Sequence, residues 1–339
     1  MAKKVYPVKS KPVVVKEARS IAALNKAKGY DPLFINKTIA VKDDVLSASH
    51  KKLLPVINQK AKGRLDYTNL SVYYNTKRRV PFYSVYNIDL KLKSQGKRTQ
   101  FKEDPRFDAT QQLSYDYFYN LIAHSDKDFD IGHMGGCDEL AWGTNGQLKA
   151  VQTFFFPNTC PQAADLNQEL WNHMERSLVT AHGDEALSKL CVFTGPVLKT
   201  TDPYYVHENT FQIPLRFFKV IVFPYNKKLY CTAMMMSHVE LITNLGLIEE
   251  KEKLVERMVT PVTPLDDFPY KGIFQVSMKL LKQQTGFNFK WKGVTPIKVE
   301  ESTTKLKRID VTETPSAARR GEAFFPVNPN NPLGFVLAG

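Results

Sequence analysis

The sequence predicts one α+β domain with extensions at both ends, built on a central, mainly antiparallel sheet with flanking helices. The chain has 339 residues and 43% hydrophobic content, enough for one large packed core. Aromatic and β-branched stretches at residues 70–74 and 80–90 flank a polar turn, a pattern typical of a β-hairpin. Further strand and helix patterns follow. We expect a basic arm at residues 1–28, the folded domain at 29–292 and a tail or extension at 293–339.

The remaining elements are predicted from apolar periodicity and from Gly and Pro positions. In chain order we expect a short helix near residues 18–28, a turn at 29–32, a buried strand at 151–156, a helix at 166–180, strands at 190–197, 211–223 and 229–236, and mainly helical segments at 237–259 and 273–284. Gly246 is expected to break the first of these segments, and Gly286 to end the second. From about residue 294 the chain turns polar and Pro-rich, which indicates a tail that is flexible or drapes over the core.

The charge is concentrated at the front of the chain. The whole sequence carries +13, and residues 1–62 hold 14 Lys and Arg against 4 Asp and Glu, a net charge of +10. A polyanion is the natural partner for such a segment, because each phosphate that is neutralised releases counterions. A solvated basic tail that only aids solubility explains the charge equally well.

Four cysteines are too few for a disulfide scaffold in a chain of this size. We expect buried free thiols, with a bridge between Cys137 and Cys160 left open. The sequence contains no apolar run of 18 residues, so we predict no membrane helix. No apolar stretch follows the basic residues at the N-terminus, so we predict no signal peptide. The expected location is the cytoplasm, or outside the cell by a leaderless route, without membrane contact.

His133 is the first candidate for chemistry. It follows Gly132, which permits a tight turn and close approach of a phosphate. Histidine near neutral pH is suited to take a proton from water. A lone histidine is more often a satisfied core or surface residue, so its neighbours decide the matter.

Asn167 and Glu175 supply such neighbours. Eight residues on a helix span about 12 Å of rise but only about 80° of rotation, so both side chains lie on one broad face. Mg²⁺ keeps most of its waters and takes one or two protein oxygens. Asn167 can bind such an ion and Glu175 can hold its waters, although an N-cap and a solvated carboxylate would be the common alternative.

Four other positions complete the predicted site. Asn158 follows an apolar run and could orient the imidazole or touch phosphate, or it is simply a turn residue. Arg98 could clamp developing phosphorane charge, with Lys97 and Arg106 as competitors and further nucleic-acid contacts.

Together these motifs resemble the DNA/RNA non-specific endonucleases of the ββα-metal (His-Me finger) superfamily, including endonuclease G. That signature is Asp-Arg-Gly-His, then Asn-x-x-Pro-Gln, then Asn-x-x-x-Trp-x-x-x-Glu. Here residues 130–133, 158–162 and 167–175 follow it in order, and weaker similarity spans about residues 29–290. The resemblance implies a ββα-metal nuclease fold.

The same resemblance implies the chemistry. His133 would be the general base, Asn167 the metal ligand, Glu175 the holder of metal waters, Asn158 part of the active-site shell and Arg98 the transition-state arginine. The expected activity is Mg²⁺-dependent cleavage of DNA, RNA or both, with Mn²⁺ as a substitute metal. Whether the chain forms a homodimer, and whether an inhibitor or immunity protein binds it, stays open.

One position departs from the signature, because Ile131 stands where the family has arginine. The loss of that charge favours a second hypothesis, a nucleic-acid-binding protein on a weakened nuclease scaffold. A toxin or effector nuclease is a third. The intact base and metal positions favour an active enzyme.

Overall fold

A computed structural model of the chain describes residues 8–115, 117, 129–171, 188–206, 208–248, 273–299, 307–310 and 336–337. The strands are β1 (Val56–Ile57), β2 (Ala61–Lys62), β3 (Leu65–Tyr67), β4 (Leu70–Asn75), β5 (Val80–Asp89), β6 (Asp130–His133), β7 (Thr159–Gln162), β8 (Lys189–Val197), β9 (Tyr204–Tyr205), β10 (Glu208–Gln212), β11 (Arg216–Tyr225), β12 (Lys228–Ser237), β13 (Ile273–Val276), β14 (Val294–Pro296), β15 (Lys307–Asp310) and β16 (Val336–Leu337). The helices are α1 (Val15–Ala18), α2 (Ile21–Lys26), α3 (Ala48–Lys51), α4 (Cys137–Leu140), α5 (Gly146–Gln152), α6 (Val239–Asn244) and α7 (Met278–Thr285). Short 3₁₀ turns cover Leu90–Leu92, Ala109–Gln111 and Phe156–Asn158, and a π-helical turn covers Leu166–Trp171.

Within these residues, one ten-stranded sheet organises the molecule. Its order is β16-β15-β13-β12-β11-β8-β5-β4-β3, and β14 pairs with β12. Neighbouring strands are antiparallel except for β12 and β14, which are parallel. The α+β prediction with a mainly antiparallel sheet is therefore confirmed.

The central strands are buried on both faces, so their side chains alternate between two apolar layers. In β11, for example, Phe217 and Ile221 enter one layer, whereas Phe218 and Val220 enter the other. The first layer also contains Phe155, next to the hairpin of β6 and β7. The sheet thus supports the strand pair of β6 and β7 through this first apolar layer.

Several predicted elements match and others are wrong. The hairpin of β4 and β5 and the strands β8 and β12 are confirmed, and Gly286 ends α7 with a φ of 74°. The predicted strand at 151–156 is wrong, because its first residues complete α5 and its last begins a 3₁₀ turn. An apolar run without alternation does not distinguish a buried strand from a buried helix.

Two further boundaries are corrected. The predicted strand at 211–223 is interrupted at Pro214, since proline cannot donate to the ladder. The segment at 273–284 begins as β13 and becomes helical only after Ser277, whose hydroxyl caps α7 by accepting from Leu280 N at 3.0 Å. Of the helical prediction at 237–259, α6 is observed, Gly246 stands just beyond its end, and residues 249–259 lie outside the described part.

The C-terminal extension contains strands of the main sheet. The described pieces of the C-terminal extension, β14, β15 and β16, are strands of the main sheet, which corrects the expectation of a flexible or draped tail for those residues.

All four cysteines are buried free thiols, as predicted, and Cys137 and Cys160 form no bridge. Among the described helices, none has the length and apolarity needed to traverse a bilayer.

Candidate active site

The hairpin of β6 and β7 carries His133 at its end. Its antiparallel register pairs Asp130 with Gln162 and His133 with Thr159. Gly132 is required at the centre, because a Cβ there would lie 2.0 Å from Gln162 Oε1. The small residue of the motif therefore lets the two strands approach closely enough to fix the position of His133.

The buried side chain of Asn158 fixes the chain just after His133 and the backbone at Thr153. Its Oδ1 accepts from Ser84 Oγ at 2.8 Å and from Gly135 N at 3.0 Å. Its Nδ2 donates to Gly135 O at 2.9 Å and to Thr153 O at 3.0 Å. Since its hydrogen-bonding capacity is used inside the protein, Asn158 braces the site and does not contact phosphate.

The imidazole of His133 is enclosed by aromatic rings. Phe101 and Phe154 lie 4.8 and 4.6 Å away between ring centroids. Burial and, to a lesser degree, the nearby Arg98 charge lower the pKa of His133 to about 3. The ring is therefore neutral at physiological pH, the form that can accept a proton.

The contact of His133 with Thr153 indicates the tautomer. His133 Nε2 lies 3.5 Å from Thr153 Oγ1, a long contact, and that hydroxyl donates its own hydrogen to Ala150 O at 2.7 Å. The threonine oxygen is thus left as an acceptor, which favours the proton on Nε2. Nδ1 is then the basic nitrogen.

Asn167 lies in the π-helical turn after β7, and Asp130 orients its amide. Asn167 Nδ2 donates to Asp130 Oδ2 at 2.9 Å, and Gln168 Nε2 donates to the same oxygen at 3.0 Å. With Nδ2 committed to the carboxylate, Oδ1 of Asn167 is the atom that can face a cation. An amide oxygen is a suitable ligand for Mg²⁺.

An open groove of about 660 Å³ brings these elements together. Its lining is made of Arg98, Thr99, Gln100, Phe101, Tyr115, Asp130, Ile131 and Asn167. The His133 ring packs against Phe101, one of these lining residues, with 4.8 Å between the ring centroids. The residues predicted to hold the metal, take the proton and stabilise the phosphate are thus neighbours in the structure.

The predicted basic residues divide into two kinds. Arg98 is 75% exposed and lies 3.9 Å from Asp138, so it is free to meet an anion at the groove, and Lys97 is exposed beside it. Arg106 is instead buried, donating to Asp104 Oδ2 at 2.6 Å and to Asp66 O at 2.9 Å. The prediction of Arg106 as a nucleic-acid contact is therefore wrong. Glu175 lies outside the described residues.

Arg19 is a site residue that the sequence analysis missed. Its Nη2 donates to Gln100 O at 2.7 Å and lies within 3.5 Å of the carbonyls of Val151 and Phe154. It thereby joins the segment that carries Phe101 to the segment that carries Phe154, the two rings that enclose His133. No local pattern marks such a residue, because its partners are backbone carbonyls far along the chain.

His238 is a second missed residue, and it anchors the chain just before the turn that carries Asn167. Its Nδ1 accepts from Ala163 N at 3.2 Å and its Nε2 donates to Pro214 O at 2.7 Å. Complete burial lowers the pKa of His238 to about 4. Protonation would place a second N–H against Ala163 N–H, so this link requires the neutral ring.

A buried ion pair supports the loop that follows His133. Glu139 Oε2 accepts from Gly136 N at 3.0 Å and from the Tyr86 hydroxyl at 2.7 Å, while Oε1 lies 3.1 Å from Lys219 Nζ. Both charged side chains are almost completely buried. The sheet, through Tyr86 and Lys219, therefore holds the loop in place.

The antiparallel pair of β6 and β7, with histidine at the end of β6 and a helical turn with asparagine after β7, has the order of elements of a ββα nuclease motif. The chain belongs to the DNA/RNA non-specific endonuclease family, whose sequence profile matches residues 51–293. Arg19 and the arm around it lie outside that match.

Individual relatives agree with this assignment. Over 171 residues the chain is 28% identical to Nuclease C1 of Cunninghamella echinulata var. echinulata, covering 47% of this chain and 62% of that protein. Over 149 residues it is 28% identical to mitochondrial endonuclease G of Homo sapiens, covering 39% and 44%. The matches thus span less than two thirds of either relative. A solved EndoG/EndoGI complex superposes with a TM-score of 0.48 at 19% identity, covering 69% of this chain and 89% of that one.

The described residues suit a hydrated divalent metal better than a fully coordinated one. No group of three His, Cys, Asp or Glu side chains able to hold a metal occurs among them. Asn167 Oδ1, oriented by Asp130, is a single oxygen donor at an open groove. That donor set fits Mg²⁺, which keeps several waters and takes few protein ligands.

The ion pair of Lys219 and Glu139 predicts a large stability effect. Lys219→Met should lower the free energy of unfolding by about 3–5 kcal/mol, because it leaves a buried carboxylate without its partner. Adding Glu139→Gln should recover part of that loss. Lys51→Met, which removes an exposed pair with Asp44 at 2.6 Å, should cost only about 0–1 kcal/mol. Urea unfolding measures all of these, and equal losses for Lys219→Met and Lys51→Met would contradict the role of the buried pair.

His238 predicts acid sensitivity. Its pKa in the folded protein is about 4, below the value of about 6.5 in an unfolded chain. As the pH falls from 6.5 to 4, the unfolded state takes up the proton first, so this residue should remove up to about 3 kcal/mol of stability. His238→Gln can keep one acceptor and one donor without titrating, and its unfolding free energy should fall less steeply over that interval. The same slope in both proteins would refute the argument.

Proposed function

We propose that the protein is a Mg²⁺-dependent endonuclease that hydrolyses phosphodiester bonds of DNA, RNA or both with little sequence specificity. The observation that supports this most directly is the groove shared by Arg98 and by an Asn167 amide that Asp130 orients, with His133 immediately behind it. Family membership supports the reaction class. The assignment of roles to individual residues is part of the proposal.

His133 serves as the general base. Burial keeps its ring neutral, and the Thr153 contact favours the Nε2–H tautomer, so Nδ1 takes the proton from the attacking water. Asn158 does not take part in proton transfer. It holds the turn at Gly135, two residues after His133, and Thr153, which contacts the ring.

Asn167 would bind the metal through Oδ1, and Glu175, on the evidence of its place in the motif, would hold metal-bound waters. A bound Mg²⁺ would neutralise charge on the phosphate and its leaving oxygen. Arg98 adds a bidentate guanidinium for the charge that develops on phosphorus, and Lys97 adds a second cation beside it.

Low specificity follows from the kind of contact available. Arg98, Lys97 and the metal ligand all address phosphate, which carries no sequence information. DNA and RNA would both be accepted if no contact depended on the 2′-hydroxyl.

Ile131 supports a second candidate, a nucleic-acid-binding protein with weakened catalysis. It lines the groove at the position where the family signature has arginine, so the groove lacks one cation. The two functions differ in whether bound nucleic acid is cut.

The decisive experiment incubates the full chain with plasmid DNA and with RNA in the presence of Mg²⁺. His133→Ala should lower the cleavage rate by about 10²- to 10⁴-fold, the usual contribution of a general base. His50→Ala is the matched control, because His50 packs against Phe82 and Phe287 in the other apolar layer and should leave cleavage unchanged. Chelation by EDTA should abolish cleavage.

Each alternative outcome has a distinct meaning. Equal rates for the wild type and His133→Ala would remove His133 as the base, and cleavage in EDTA would remove the metal. Salt-sensitive binding of nucleic acid without any cleavage would establish the second candidate.

Asp130 predicts a specific effect on metal use. Asp130→Ala frees the Asn167 amide to rotate, so the Mg²⁺ concentration that gives half-maximal activity should rise about 10- to 100-fold, as for other residues that orient a metal ligand. Asp130→Asn keeps a carbonyl acceptor and should have a smaller effect. Gln168→Ala leaves the bond from Asn167 to Asp130 in place and serves as the control. An unchanged Mg²⁺ titration for Asp130→Ala would show that this bond does not serve the metal site.

A further inference from the structure

One side of the groove is apolar and aromatic. Phe101, Tyr115 and Ile131, here called the apolar wall, line it together with Arg98 and Asn167. Tyr115 is 38% exposed, and Phe101 and Ile131 are partly exposed. An aromatic surface at the edge of a phosphate-binding groove can receive the flat face of a nucleobase.

The rings of the apolar wall are held from behind. Phe101 packs against Phe154 and Phe156, with ring centroids 5.1 and 5.9 Å apart. Tyr115 meets Phe156 edge to face at 5.2 Å, and Phe156 is fully buried. Rings supported in this way lose little conformational entropy when a ligand stacks on them.

The apolar wall also adjoins the proposed catalytic residues. The Phe101 ring is 4.8 Å from the His133 ring, and Arg98 and Asn167 lie in the same groove. A nucleobase next to the reacting phosphate is therefore within reach of Tyr115 or Phe101. In a duplex that base is paired and stacked inside the helix, whereas a single strand can turn it outward.

Ile131 also favours single-stranded over duplex nucleic acid. An arginine at this position would add a cation for the dense phosphate rows of a duplex, and isoleucine adds apolar surface instead. The lining of the groove then combines one cation, Arg98, with the three side chains of the apolar wall.

We propose that the groove is a base-stacking site for single-stranded nucleic acid, with Tyr115 as the residue that determines the preference for single strands over duplexes. This inference rests on the proposed function, since it names the substrate class of the same groove. Arg98 holds the phosphate while a neighbouring base stacks on the apolar wall.

The test measures binding separately from cleavage. The full chain carrying His133→Ala is titrated into a fluorescein-labelled single-stranded DNA oligonucleotide and into the duplex of the same sequence, with fluorescence anisotropy as the readout. The single strand should bind more tightly than the duplex. Tyr115→Leu, added to this background, should weaken single-strand binding by about tenfold or more, the usual loss when a base-stacking ring is removed, and should leave duplex binding nearly unchanged. Tyr115→Phe keeps the ring and should retain single-strand binding.

A gain-of-function variant tests the same idea independently of any folding defect. Ile131→Arg restores a cation and removes apolar surface, so it should raise duplex binding relative to single-strand binding. Circular dichroism and thermal unfolding confirm that each variant is folded. Duplex binding as tight as single-strand binding, or equal effects of Tyr115→Leu on both ligands, would overturn the proposal. Failure of the proposed nuclease function would instead appear as intact, strand-selective binding with no hydrolysis by the parent chain.

Discussion

The position of His133 depends on one side-chain amide. Asn158 connects β5 through Ser84, the turn at Gly135, and Thr153. Because the amide is completely buried, each group left unpaired by its loss would cost about 1–3 kcal/mol. The four bonds are mutually dependent, since they require one orientation of one amide. The sheet therefore sets the geometry of the site through Asn158, whose own side chain is fully buried.

The N-terminal arm completes this geometry from outside the region that the family profile matches. Ala18 O accepts from Gln152 Nε2 at 2.9 Å, which docks the arm on α5, and Arg19 then reaches the carbonyls of Gln100 and Phe154. Arg19, just after α1, is only partly exposed, whereas Lys16 within α1 is exposed. The basic arm thus contains two kinds of cation: a structural one that holds the rings around His133, and solvent-facing ones that remain available to a polyanion.

The sequence predicts the fold class and the proximity of the candidate site residues better than it predicts the boundaries of single elements, and the reason is physical. Gly132, His133, Asn158 and Asn167 lie at or next to the ends of two paired strands and in the helical turn that follows, so the order and spacing of the motifs carry the information. The strand at 151–156 was wrong because burial on every side removes the alternation that would distinguish strand from helix. Arg106 could not be separated from Arg98 by sequence, since only tertiary structure shows that Asp104 lies beneath one and solvent surrounds the other.

The pKa of His133 depends partly on the charge in the neighbouring groove. Burial and the Arg98 charge hold the pKa of His133 far below its usual range, so the free ring is a weak base. A phosphodiester bound at Arg98 brings a negative charge that offsets the guanidinium and favours the protonated ring. This offset would act only on the smaller of the two causes, because burial, the larger one, would remain. Under the proposed function, a phosphate held by Arg98 would therefore raise the pKa of His133 only in part.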